Sequence, residues 1–78
     1  MAMKFYGTLE RLKQLLDRHD ILGSWERECN GVHMMRCPDG SNLHWASGSK
    51  SLWIDGKDKA RRALAINIAE LLHNLAHD

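Results

Sequence analysis

The stretch NGVHMMRCPDGSNLHW, residues 30–45, holds most of the residue types in this chain that do chemistry. With Cys29 it supplies two cysteines and two histidines, the donors zinc prefers. Their order, Cys29-x3-His33-x3-Cys37-x6-His44, lacks the paired knuckle of structural zinc sites. No metal and no other cofactor is expected. Cys29 and Cys37 fall on one hairpin, so a bridge is geometrically open, but in a reducing compartment two buried thiols are the expectation. His33 is the candidate general acid or base, because imidazole takes and gives a proton near neutral pH. RNA cleavage needs a base for the 2′-hydroxyl, an acid for the leaving oxygen and a cation on the phosphate. His33 or His44 with Lys57 or Arg61 has those types.

The other chemistry lies in GKDKARR. Between residues 50 and 62 stand five bases (Lys50, Lys57, Lys59, Arg61, Arg62) and two acids, Asp55 and Asp58. Four of the bases crowd a helix start, where free amide groups already favour an anion. A phosphate site is one reading. The other is a solvated face, with Asp55 and Asp58 capping the helix and partly neutralising the bases.

These side chains need elements to hold them. Residues 1–7 read as an N-terminal lead-in; the Met-Ala-Met opening points to Met3 as the natural start. Residues 8–22 read as a helix, with Thr8 as N-cap, Leu9, Leu12, Leu15 and Leu16 as its apolar stripe and Gly23 at its end. Residues 24–54 read as short antiparallel strands broken by turns. Asn30-Gly31 is a two-residue hairpin signal, and Pro38-Asp39-Gly40 marks the next turn. Residues 58–76 read as the last helix, with Ala60, Leu64, Ile68, Leu71, Leu72 and Leu75 on one face and Ile66 on the polar side.

The order predicts an α+β two-layer sandwich, α-β-β-β(-β)-α, with both helices on one face of an antiparallel sheet. Which strand residues face the helices is not readable. His33, Met35 and Cys37 share one face, Val32, Met34 and Arg36 the other, and neither set is cleanly apolar.

Seventy-eight residues make one domain with a small core. The formal charge of +1 gives a weak overall field, so any nucleic-acid binding must come from a local patch. No apolar run is long enough to span a membrane and no secretory pattern opens the chain, so it reads as cytoplasmic.

The segment GSWERECNGVHMMRCPDG, after a helix, resembles the HicA toxins, small messenger-RNA-cleaving proteins with the fold of the double-stranded-RNA-binding domain. The resemblance covers roughly residues 9–45. It rests on Gly31, His33 and Pro38-Asp39-Gly40, and implies that His33 is catalytic. The last helix, GKDKARRALAINIAELL, is similar to that of the double-stranded-RNA-binding domain itself, which implies phosphate contacts from Lys57, Lys59, Arg61 and Arg62 that read shape rather than sequence.

RNA interaction through the basic helix start therefore leads, with Lys50 counted in the phosphate set and HicA-like cleavage by His33 as its catalytic form. The alternative is a non-enzymatic protein-binding module of the size of many phage-encoded inhibitors, anti-CRISPR proteins among them. Such a module would act through an exposed patch around Trp45, Trp53 or Ile66. The oligomeric state is open; a dimer through the uncovered sheet face is one form.

Overall fold

A computed structural model describes residues 3–27 and 29–76, without the side chains of Cys29 and Ala76. The chain runs β1 (Met3–Lys4), α1 (Leu9–Arg18), β2 (Ser24–Arg27), a 3₁₀ turn (Cys29–Gly31), β3 (Val32–Arg36), β4 (Ser41–Ala46), β5 (Ser51–Gly56) and α2 (Asp58–Ala76). The strands form one sheet in the order β1-β5-β4-β3-β2, antiparallel throughout. This is the expected α+β sandwich, with one addition: part of the lead-in is an edge strand, Met3 pairing with Leu52 and Lys4 with Ser51.

Thr8 caps α1 as expected, its Oγ1 accepting the Arg11 N–H at 3.1 Å. The helix stops at Arg18, four residues before the expected end. Asp20 takes a left-handed backbone (φ 58°). The Ile21 N–H then reaches the Leu16 carbonyl (2.8 Å) and the Asp20 N–H the Asp17 carbonyl (3.1 Å). That is a Schellman ending with aspartate where glycine is usual. Gly23 serves the sheet instead. A β-carbon there would stand 2.7 Å from both the Arg36 carbonyl oxygen and Met35 Cγ, so only glycine lets the chain pass this close to β3.

The Asn30-Gly31 signal marks a turn of another kind from the expected one. Both residues have positive φ (60° and 75°), the property that made the dipeptide a turn signal. The last β2–β3 pair is Arg27 with His33, however, so the connection is longer than a two-residue loop. Pro38-Asp39-Gly40 is the tight turn expected. Cys37 donates to the Ser41 carbonyl (2.9 Å) and Gly40 to the Cys37 carbonyl (3.2 Å).

The core lies on one face of the sheet. Met35, Cys37, Leu43, Trp45 and Leu52 meet Leu12, Leu15 and Leu16 of α1, Leu64, Ile68 and Leu71 of α2, and Phe5. Leu72 and Leu75 pack partly against this cluster, and Ala60 is half-buried. The opposite face carries the cross-strand rows Glu26, Met34, His44, Trp53 and Ser24, Arg36, Asn42, Asp55, with the Val32–Ala46 pair beside them. No described helix is long and apolar enough to cross a membrane.

Candidate nucleic-acid interface

The start of α2 is built on a close contact between two glycines. Gly56, at φ 115°, passes so near the Gly40 carbonyl that a β-carbon would collide with it. The next residue, Lys57, donates its N–H to that same carbonyl (3.2 Å), while its own carbonyl accepts the Arg61 N–H (2.7 Å). Lys57 therefore occupies the N-cap position, and lysine has no acceptor with which to cap.

The capping by Asp55 and Asp58 that the solvated-face reading supposes is not seen among the described hydrogen bonds. Asp55 is turned to the uncovered sheet face, and Asp58, inside the first helical turn, accepts from Arg61 Nη2 at 3.2 Å. Among the described residues, no side chain accepts from the first-turn amides of α2. Lys57, Lys59 and Arg62 are exposed, and none forms an ion pair with a described acid. Arg61 and Arg62 also border a groove of about 280 Å³ floored by Met3, Ile54, Ala65 and Ala69.

Lys50 does not belong to this cluster. It precedes β5, whereas Lys57 follows it, and a six-residue strand separates their backbones by about 20 Å. Lys50 also has local work: its Nζ donates to the Gly7 carbonyl (3.3 Å) and sits 5.3 Å from the centre of the Trp45 ring.

His33 shares that end of the molecule. It lies on the helix-covered face, half-buried, its ring stacked 6.1 Å from that of Trp45 at an interplanar angle of 25°. Trp45 thus gathers His33 and Lys50, and the bases of α2 are at the other end of β5. The set of His33 with Lys57 or Arg61 is not assembled.

No metal site forms among the described residues. His44 is on the opposite sheet face from His33 and Cys37, and the Cys29 side chain lies outside the described residues. Cys37 is a free, buried thiol. Burial pushes its pKa up; the hydrogen bond with Ser41 opposes this, and the nearby Asp39 carboxylate adds to it.

The three residues of the partner reading stand in different surroundings. Trp45 is 1% exposed, its indole N–H donating to the Phe5 carbonyl at 3.1 Å, so it is core. Trp53 is 38% and Ile66 61% exposed. Trp53 is on the uncovered sheet face and Ile66 on the outer side of α2, so the two look in opposite directions.

One constellation was not anticipated. On the uncovered face His44 Nε2 lies 2.9 Å from Asp55 Oδ2, and Asn42 Nδ2 donates to Asp55 Oδ1 at 3.0 Å. The Trp53 ring stacks on His44, centroids 5.2 Å apart and planes within 2°. Beside them Arg36 pairs with Glu26 at 3.3 Å. Alternation in SNLHWA and SLWIDG puts His44, Trp53 and Asp55 on strand faces; the register that joins them has no local sequence signal.

No family model, no curated protein and no solved structure matches this chain.

Proposed function

We propose that this domain interacts with RNA by holding backbone phosphates at the start of α2, through Lys57, Lys59 and Arg62. One observation carries the reading: a lysine occupies the N-cap position, so the first-turn amides lack a side-chain acceptor just where three bases have no acidic partner among the described residues. An anion there meets amide donors, the positive end of the helix and mobile ammonium and guanidinium groups together. Arg61 contributes less, being tied to Asp58. Lys50 is outside the contact.

The test is a titration of short RNA at low and moderate salt with wild type and with Lys59→Glu/Arg62→Glu. Binding by wild type should be salt-sensitive, and the double reversal should weaken it at least tenfold and flatten the salt slope. Unchanged affinity in the variant sinks the proposal. RNA recovered after the titration also tests HicA-like cleavage. Cuts that vanish in His33→Ala, with the fold intact, would add a catalytic function in which Lys50, and not the α2 bases, stands nearest.

The protein-binding alternative now has Ile66 as its α2 contact, since that side chain stands clear of the core. Ile66→Asp should release a co-purifying partner while leaving the melting temperature in place. A retained partner would rule Ile66 out.

A further inference from the structure

The exposed ring of Trp53 has a chemistry that the α2 bases do not supply. Across the uncovered face, Met34, His44 and Trp53 follow one another on β3, β4 and β5. Met34 and His44 are buried (8% and 7%), and Trp53, the β5 member of this row, is 38% exposed.

The row is also held still. Asp55 binds His44 and is itself bound by Asn42, and the Trp53 ring lies parallel to the imidazole. A flat surface fixed before a ligand arrives loses little freedom on binding.

We propose that Trp53 is a stacking platform for an unpaired nucleobase, which makes the ligand single-stranded RNA rather than duplex. This rests on the RNA reading of α2. Only a base outside a helix has a π-face free to lie on an indole, and such stacking tolerates any base.

Charge selects a nucleotide over an aromatic side chain as the occupant. Trp53 stands on the strand that runs into α2, four residues, or about 13 Å, before Lys57. A strand whose phosphates rest on Lys57, Lys59 and Arg62 therefore places a base within a few nucleotides of Trp53. Among the described acids of the open face, Glu26 is paired with Arg36, and Asp55 accepts from Asn42 and lies against His44.

The experiment compares three probes of one length on the full chain: single-stranded RNA, its duplex, and a single strand with abasic sites but the same phosphates. The intact single strand should bind about 5- to 150-fold more tightly than the abasic one, the range for stacking one base. Trp53→Ala should remove that advantage without changing abasic-strand affinity, and Trp53→Phe should keep most of it. The abasic comparison needs no mutation, so it decides even if Trp53→Ala folds poorly. Equal binding of intact and abasic strands, still weakened by Lys59→Glu/Arg62→Glu, overturns the platform and leaves the phosphate site standing. Failure of all three probes to bind at low salt overturns the phosphate site and the platform together.

Discussion

Asp39 does more for the β3–β4 turn than its place in a Pro-Asp-Gly signal requires. One carboxylate oxygen accepts both the Ser41 N–H (3.0 Å) and the Ser41 hydroxyl (2.6 Å). Those two bonds, the hydroxyl first, hold the carboxyl below its usual pKa. The sign of the linkage follows. The unfolded chain takes up this proton at a higher pH than the folded one, so the stabilisation is complete above the ordinary carboxylate range and is lost as pH falls through the lowered folded value. Asp39→Asn removes that titration. The difference in urea midpoint between wild type and variant should be largest at neutral pH and should shrink as the solution is acidified below the ordinary aspartate range. A gap that stays constant on acidification would mean that the carboxylate charge has no part in holding the turn. The proline and glycine of this turn were legible because proline presets φ and glycine admits the positive φ found at Gly40. The double acceptance by Asp39 was not, because it depends on where the Ser41 side chain points.

Among the elements, α2 was legible, starting at Asp58 as expected, since an apolar stripe repeated over nineteen residues is a long local signal. The end of α1 was not. Gly23 has the residue type of a helix stop, but the left-handed position falls at Asp20, where aspartate is tolerated and glycine would be easier. An acid at this position also follows the negative end of the helix. Asp20→Gly should therefore stabilise the fold by roughly 0.5–1 kcal/mol, after allowance for the greater freedom of glycine in the unfolded chain. Asp20→Ala should destabilise it, because the β-carbon strain stays and the local tolerance of aspartate goes. Thermal melts of both variants check this, at about 4–8 °C per kcal/mol for a domain of this size. If both shift the same way, backbone strain at residue 20 is not what sets the helix end. The strand faces were illegible for a different reason. Met34 is buried on the uncovered side among its cross-strand neighbours, less deeply than Met35 beneath the helices but still out of water, so hydrophobicity did not separate the faces of VHMMR.

The whole molecule explains why three tryptophans of one residue type differ in consequence. Strand parity puts Trp45 under the helices and Trp53 outside, while Trp25, on the β2 edge, is half-buried with Lys13 Nζ 5.6 Å from its ring centre. Trp45 joins distant parts of the chain: Phe5 meets its ring edge-on at 5.8 Å, Lys50 and His33 approach it, and its N–H is bound by the Phe5 carbonyl. A domain of 78 residues has a total stability of about 4–12 kcal/mol. Trp45→Ala should cost about 3–5 kcal/mol through lost burial and the cavity together, a large share of that total. Trp45→Phe is the readable variant, expected to lose about 1–3 kcal/mol, because it shrinks the packed ring and leaves the Phe5 carbonyl without its donor. Trp53→Ala, which opens no cavity beneath the helices, should stay within about 1 kcal/mol of wild type. Urea midpoints for Trp45→Phe and Trp53→Ala measured side by side decide the matter. A large shift at Trp45 with a small one at Trp53 separates structural from available aromatic surface, and makes Trp53→Ala a sound probe of RNA stacking. Comparable losses at both would make Trp53 part of what holds the sheet together, and would leave the abasic strand to test the platform.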